Sequence, residues 1–212
     1  MPDKRIALTG GIATGKTTAA NKFRELGAII LDADEYARRA VEPGTPSCAA
    51  LLELIGSEHF NPDGTLRRQE LRRRIIREPA QRERINAVLH PYIMGAMQAE
   101  WEKQKELHPQ AVIVFDIPLL FEGRFEKDFD IIILVYATPE VQVQRLIHRD
   151  NLPPPEAQRT LSMQFPIDSK RDRSDYIIEN SGDLELTLRQ VEEVWNKISR
   201  QANRAVRNRT ED

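Results

Sequence analysis

The chain has 212 residues, with 31 lysine and arginine side chains against 33 aspartate and glutamate side chains, and a formal net charge of −2. This length is enough for one α/β domain with a hydrophobic core and an insertion. The charge balance argues against general nucleic-acid binding, which needs a surplus of basic side chains. No apolar run approaches the ~20 residues that span a bilayer, and the single cysteine, Cys48, cannot form an internal disulfide. We therefore expect a cytoplasmic protein without a signal peptide and without nucleic-acid or membrane partners.

A phosphate-binding motif follows the first predicted strand, Arg5–Thr9. The segment Gly10–Thr17 reads GGIATGKT and fits G-x-x-x-x-G-K-[ST]. Its glycines let backbone N–H groups surround a diphosphate, and the next helix adds its positive end. Lys16 supplies a charge for the β- and γ-phosphates, and the Thr17 hydroxyl is a ligand for Mg²⁺. A glycine-rich turn without a ligand is the alternative, but strand, loop and helix occur in the order that a P-loop requires. The residues expected to contact nucleotide here are Gly11, Ile12, Ala13, Thr14, Gly15, Lys16, Thr17 and Thr18.

Further predicted strands alternate with predicted helices along the chain. Continuous β-branched runs, rather than alternating ones, are typical of a parallel sheet that is covered on both faces. The sequence therefore predicts a three-layer α/β fold of the P-loop NTPase, nucleotide-kinase-like class, with a parallel five-stranded sheet. The strands after the first are predicted at residues 28–31, 111–115, 131–135 and 176–178.

A long helical stretch, at about residues 47–108, separates the second and third predicted strands. Pro79 suits the start of a helix, and apolar residues continue from there at helical spacing. This stretch is far longer than one crossover helix. We therefore predict an inserted helical subdomain within a single kinase domain.

A second helical feature follows the fourth predicted strand. Arg145 and Arg149 are four residues apart and share one helical face. The prolines at residues 153–155 then break the helix and start another, which predicts a helical hairpin. Phosphoryl transfer requires charge neutralisation and the exclusion of water, so this hairpin is a candidate lid. Solvated surface arginines are the alternative for both side chains.

Carboxylates stand where the second and third predicted strands end. Asp32 and Asp34 follow the second strand, and Asp116 follows the third. Ligands of parallel α/β sheets bind beyond the carboxyl ends of the strands. A kinase needs a base there for its acceptor hydroxyl, as well as oxygen ligands for its metal ion, to which Asp116 is a candidate contributor. Capping of the next helix is the alternative for each carboxylate.

Several motifs together give the chain, from about residue 5 to 182, a resemblance to the dephospho-CoA kinase family. Besides the P-loop, they are Asp32-Ala33-Asp34, Glu42-Pro43-Gly44, Asp63-Gly64-Thr65-Leu66, Leu89-His90-Pro91, Pro118-Leu119-Leu120-Phe121-Glu122, Arg149-Asp150, Gln164, Lys170 and the run from Asp175 to Gly182. The resemblance implies transfer of the ATP γ-phosphoryl group to the ribose 3′-hydroxyl of dephospho-CoA.

The resemblance also implies a lid over ATP at about residues 149–170, and it implies roles for individual residues. Asp34 is the expected base, and Lys16 and Arg149 are expected to act on the transferring phosphoryl group. The residues expected at the acceptor are Asp32, Asp34, His90, Leu120 and Glu122, and further contacts with ATP are expected from Arg145 and Asn180.

Two positions in the loop depart from the family pattern, which usually has glycine at Ala13 and serine at Thr14. Because glycine tolerates positive φ far better than alanine does, we expect a negative φ at Ala13.

Other functions remain to be compared with this one. Another P-loop nucleotide or small-molecule kinase shares every feature except the acceptor pocket. A regulatory GTPase needs Asn-Lys-x-Asp, whereas Asn196-Lys197 is followed by Ile198-Ser199. A nucleic-acid-dependent ATPase would need a basic surface. Two further expectations concern the surface of the protein. The arginines between Arg67 and Arg77 form either a solvated helix face or contacts for acceptor phosphates. We also expect the protein to be a monomer or a weak homo-oligomer.

Overall fold

The computed structural model describes residues 4–68, 71 and 79–207. In chain order the strands and helices are β1 (Ile6–Gly10), α1 (Lys16–Glu25), β2 (Ile29–Asp32), α2 (Ala33–Ala40), α3 (Pro46–Ile55), α4 (Pro79–Leu107), β3 (Ile113–Asp116), β4 (Ile131–Tyr136), α5 (Pro139–Asp150), α6 (Pro154–Ser162), β5 (Tyr176–Glu179) and α7 (Leu184–Arg207). Short 3-10 helices occur at Ser57–His59, Glu126–Asp128 and Ile167–Arg173.

The five strands form one sheet in the order β2-β3-β1-β4-β5. β1 is parallel to both β3 and β4, so that Leu8 lies opposite Asp116 on one side and Ile133 on the other. β4 is also parallel to β5. Every strand predicted from the sequence is present, with its ends shifted by two residues or fewer. The predicted parallel five-stranded sheet is therefore confirmed.

Every residue of the three central strands, β3, β1 and β4, is buried, because apolar side chains cover both faces of the sheet there. Phe23 of α1 and Val191 of α7 are fully buried against one face, where they pack with Ile6 and Leu8 of the central strand. Leu134 and Tyr136 of β4 belong to a second buried cluster, which contains Ile167. Full burial explains why the strands read as continuous β-branched runs.

The chain divides into two compact units, one formed by the residues up to Leu31 and from Lys103 onward, and one formed by Asp32–Glu102. The second unit has a hydrophobic core of its own, which α3 and α4 help to build. Helix α4 begins at Pro79, as predicted. The limits predicted for the insertion (47–108) and for the lid (149–170) stay predictions. The buried members of the second core are Val41, Cys48, Leu51, Ile55, Phe60, Leu71 and Ile85.

Most of the arginine cluster predicted between Arg67 and Arg77 lies outside the described residues, which include only Arg67 and Arg68 of its members.

The predicted break between two helices is present after β4. α5 ends at Asp150, where Asn151 adopts the left-handed conformation with φ of 51°, and α6 begins at Pro154. An asparagine at this position is a common helix end, since its side chain tolerates positive φ.

Candidate active site

The P-loop occupies the turn between β1 and α1. Gly15 caps α1 with φ of 86°. A Cβ atom on Gly15 would lie 2.1 Å from the Nδ2 atom of Asn180. Both the positive φ and this close approach require glycine, so the loop and the segment after β5 are fitted to each other.

The prediction for the backbone of Ala13 is wrong. Ala13 has φ of 59°, in the left-handed region that alanine adopts at a cost. The physical reason lies in the contacts on both sides of the residue. The carbonyl of Ile12 accepts a hydrogen bond from Gln142 Nε2 at 2.6 Å, and the carbonyl of Ala13 accepts one from Arg145 Nη1 at 3.3 Å. These contacts hold the two flanking peptide groups in place.

The loop carbonyls are held by side chains from other elements. The carbonyl of Thr14 accepts hydrogen bonds from Asn180 Nδ2 at 2.6 Å and from Arg145 Nη1 at 3.4 Å. Arg145 also donates to the carbonyl of Asn180 at 2.7 Å. The two residues predicted to contact ATP, Arg145 and Asn180, thus bind the backbone of the loop in this structure, and their contact with nucleotide stays a prediction.

A residue of the predicted lid also contacts the loop. The N–H of Ile12 donates a 2.8 Å hydrogen bond to Oε1 of Gln164, which follows α6. Buried Ile167, three residues further on, lies close to Gly11, where a Cβ atom would meet its Cδ1 at 3.3 Å. The segment after α6 therefore packs directly on the P-loop.

Lys16 and Asp116 form an ion pair at the edge of the sheet. Lys16 begins α1 and Asp116 ends β3, which neighbours β1. Their side chains are only 14% and 7% exposed, so each charge is largely removed from water. Within the pair each charge offsets the other, and a phosphate group is an alternative partner for the lysine.

Thr17 and Asp116 carry side-chain oxygen atoms that suit a magnesium ion. Thr17 is exposed in the first turn of α1, and Asp116 supplies a carboxylate. The described residues contain no group of three or more histidine, cysteine, aspartate or glutamate side chains that could hold a metal. Magnesium in nucleotide sites takes most of its ligands from phosphates and water, and a hydroxyl and a carboxylate suit that chemistry.

Glu122 and Lys170 form a second ion pair, between the loop after β3 and the 3-10 helix Ile167–Arg173. Lys170 is fully buried, and its Nζ donates to Glu122 Oε1 at 2.7 Å. The same oxygen accepts from the backbone N–H of Phe165 at 3.0 Å. Leu120 is fully buried as well. The structure thus gives Glu122 a role in holding the segment after α6, while the predicted contact of Leu120 and Glu122 with the acceptor stays a prediction.

Arg149 lies at the end of α5 with its side chain 58% exposed. Its Nε and Nη2 atoms each donate to the carboxylate of Asp150 at 2.8 Å. This hydrogen bonding raises the pKa of Arg149 and keeps the guanidinium charged. Among the described residues, Arg149 makes no hydrogen bond to the P-loop, in contrast to Arg145.

Asp32 and Asp34 have different environments in the second unit. Asp32 is the N-cap of α2, where its Oδ1 accepts the N–H of Asp34 at 2.9 Å. The carboxylate of Asp34 is exposed and makes no hydrogen bond or ion pair within the described part of the chain. The capping role thus belongs to Asp32, and the Asp34 carboxylate is available for other contacts.

The second unit also contains His90 and a cavity. His90 is half-buried in α4, directly before Pro91, and its burial lowers the pKa of the imidazole. The cavity has a volume of about 640 Å³, and its lining is mainly apolar. Residues that line it include Pro43, Thr45, Cys48, Leu52, Phe60 and Arg67.

Sequence reasoning missed Gln142, and it noted Gln164 and Lys170 only as parts of a motif. A glutamine in a helix gives no local signal of the backbone that it will bind. A fully buried lysine needs a charged partner, but the sequence alone does not show that Lys170 is buried.

A P-loop placed between β1 and α1 on a parallel sheet of this order defines the nucleotide-kinase-like class of P-loop proteins. The family model described as dephospho-CoA kinase matches residues 4–185. A dephospho-CoA kinase of Anaeromyxobacter dehalogenans (strain 2CP-C) is 43% identical over 178 residues, which cover 84% of this chain and 83% of that protein. This chain belongs to the dephospho-CoA kinase family.

Solved structures have the same fold. The crystal structure of TT1252 from Thermus thermophilus has a TM-score of 0.77 and 31% identity, with 93% of this chain and 98% of that chain covered. A dephospho-CoA kinase from Campylobacter jejuni has a TM-score of 0.70 at 21% identity, covering the same shares of the two chains. Among the described residues, no helix has the length and apolar character needed to cross a membrane.

Proposed function

We propose that this protein transfers the γ-phosphoryl group of ATP to the ribose 3′-hydroxyl of dephospho-CoA, giving coenzyme A and ADP. The observation that carries the proposal is the family match over residues 4–185, which includes the complete P-loop signature Gly15-Lys16-Thr17. The reaction is the last step of coenzyme A synthesis. ATP is the co-substrate of this family of kinases.

The P-loop binds the phosphates of ATP in this proposal. Its backbone N–H groups and the N-terminus of α1 surround the β-phosphate. Lys16 exchanges its ion pair with Asp116 for the transferring group, where its charge stabilises the transition state. In the same exchange Asp116 loses its ion pair with Lys16, and its carboxylate is a candidate ligand for a metal ion.

Magnesium is the metal that this chemistry requires. Thr17 would hold it through its hydroxyl, with Asp116 acting directly or through a water molecule. When bound, the ion supplies charge neutralisation on the β- and γ-phosphates.

Asp34 is the proposed base for the acceptor. Its carboxylate is exposed and has no partner among the residues that the structure describes, so it can orient the 3′-hydroxyl and accept its proton. Asp32 supports it by fixing the first turn of α2, where its carboxylate binds the N–H of Asp34.

The unit Asp32–Glu102 is the proposed acceptor-binding part of the protein. It contains His90 and a cavity of about 640 Å³, which suits a ligand with an apolar arm. Arg149 is the proposed lid residue that reaches the transferring phosphoryl group on closure, with the lid running from about residue 149 to 170. We place the enzyme in the cytoplasm as a monomer or weak homo-oligomer.

A phosphoryl-transfer assay with a panel of acceptors tests the proposal. Purified protein is incubated with ATP and Mg²⁺ and with dephospho-CoA, AMP, other nucleosides or shikimate, and the product is identified by mass and by phosphorus NMR. We expect efficient transfer to dephospho-CoA alone, at the 3′ position, and a loss of it in a Lys16→Ala control. Faster transfer to another acceptor would instead support a different P-loop nucleotide or small-molecule kinase.

A further inference from the structure

Ala13 has two flanking peptide groups, and a side chain of α5 holds each of them. The φ angle of Ala13 is the rotation about its N–Cα bond. The Ile12 carbonyl lies on the N-terminal side of this bond, and the Ala13 carbonyl lies on its C-terminal side. Gln142 Nε2 binds the first at 2.6 Å, and Arg145 Nη1 binds the second at 3.3 Å. Gln142 and Arg145 are three residues apart, so they project from the same face of α5. Together they define the left-handed conformation that Ala13 adopts.

The environment of Gln142 argues against a role in stability. Its side chain is fully buried, and its Oε1 atom has no hydrogen-bond partner in the described part of the chain. Burying an unpaired amide oxygen costs free energy, so an apolar side chain of the same size would be the more stable choice. Within the described part of the chain, the side chain makes one hydrogen bond, to the Ile12 carbonyl.

We propose that Gln142 is a positioning residue for the nucleotide, because its amide holds the Ile12 carbonyl and so keeps Ala13 in the left-handed conformation. The C=O and N–H of a trans peptide point in opposite directions, so the bond from Gln142 to the Ile12 carbonyl turns the N–H of Ala13 away from α5, where it can face a phosphate. The inference rests on nucleotide binding by the P-loop, which is part of the proposed function. A glycine at position 13 would not need this support, since it adopts positive φ without penalty.

A double-mutant cycle tests the inference. ADP affinity is measured by calorimetry in the presence of Mg²⁺ for the wild type, Gln142→Met, Ala13→Gly and the double variant, each with a thermal melt. Methionine keeps the length of glutamine without its amide. We expect Gln142→Met to raise the Kd for ADP about tenfold while the Tm is unchanged or higher. In the Ala13→Gly background the same change should raise the Kd less than about threefold.

Three results of this experiment would overturn the inference. Equal losses of affinity in both backgrounds, or no loss in either, would overturn the inference. A loss of affinity accompanied by an equal loss of stability would make Gln142 a structural residue, and would also overturn it. If Gln142→Met does not fold, Gln142→Asn replaces it in the cycle, because its shortened side chain withdraws the same amide. Failure of the protein to phosphorylate dephospho-CoA would leave this cycle intact, since ADP binding is measured without acceptor.

Discussion

Asp32 accepts a hydrogen bond of 2.9 Å from the backbone N–H of Asp34, which fixes the first turn of α2. Both carboxylates were candidates for two roles, capping of the helix and action as the catalytic base, and this contact assigns the capping role to Asp32. Asp32 caps the helix, and the carboxylate of Asp34 is exposed to solvent. Substitution of the two residues therefore separates catalysis from folding.

We predict that Asp34→Asn lowers kcat for transfer to dephospho-CoA by about 10²–10⁴-fold, because asparagine cannot accept the proton of the hydroxyl. ATP affinity and Tm should stay close to the wild type, since the Asp34 carboxylate makes no hydrogen bond or ion pair with any other described residue. Single-turnover transfer and a thermal melt check both expectations. Asp32→Asn is the matched control, because asparagine caps a helix as well as aspartate does. Near-normal transfer by Asp34→Asn would move the base to Asp32 or Asp116.

Lys16→Ala should nearly abolish transfer. The loss of a charge-assisted contact to the transferring group costs about 3–4 kcal/mol in the transition state. Asp116, only 7% exposed, loses its lysine partner in the same variant, so a lower Tm is expected as well. Steady-state kinetics and a melt measure the two effects. Retention of more than about a tenth of the wild-type turnover would exclude Lys16 from this role.

Substitution of Arg149 should lower mainly kcat, whereas substitution of Arg145 should lower mainly the affinity for ATP. Arg149→Ala removes an exposed charge that meets the transferring group only on closure, so kcat should fall much more than ATP affinity. Arg145→Ala is the contrast, because this side chain binds the carbonyls of Ala13 and Thr14, and its loss should weaken ATP binding. Steady-state kinetics with varied ATP separate the two constants. An increase of KM with unchanged kcat in Arg149→Ala would make Arg149 a ground-state anchor.

Removing one partner of the buried Glu122–Lys170 pair should be more costly than removing both. Glu122→Gln leaves the fully buried ammonium of Lys170 without a counter-charge, and we expect a loss of about 3–5 kcal/mol in the free energy of unfolding. Glu122→Leu combined with Lys170→Met removes both charges and should cost less than either single change. Urea unfolding of Glu122→Gln, of Glu122→Leu, of Lys170→Met and of the double variant provides the measurement. A loss under about 1 kcal/mol in Glu122→Gln would show that the pair is solvated.

His90 should make the stability of the protein depend on pH. Burial lowers its pKa below the ordinary value of 6.5. As the pH falls below that value, the unfolded chain binds a proton that the folded chain resists, so the free energy of unfolding decreases until the folded pKa is reached. His90→Gln should flatten this decrease between about pH 7.5 and about pH 5, measured by urea unfolding. Exposed His148→Gln is the control, and the same slope in His90→Gln and wild type would contradict the assignment.

Patterns of neighbouring residues predicted the sheet, but the hydrogen bonds between distant parts of the chain could be learned only from the structure. The strands and the P-loop follow from residues that are adjacent in sequence, and their order specifies a parallel sheet. The hydrogen bonds of Ile12 join it to Gln142 and Gln164 across 130 and 152 residues. No composition or periodicity encodes such pairs. The error at Ala13 has the same origin, because local steric preference predicts a negative φ and distant side chains impose a positive one.

The complete burial of Lys170 makes this lysine a chemical reporter. Amine-reactive reagents modify lysines that solvent reaches, and the side chain of Lys170 has an exposed fraction of 0%. Its acylation therefore requires an opening in which the segment Ile167–Arg173 detaches from the loop that carries Glu122, and a local opening of this kind costs less free energy than global unfolding. The rate of labelling at this one residue, followed by mass spectrometry of the peptide, would report how often that segment opens, and a nucleotide that slows the labelling would show that it closes the segment.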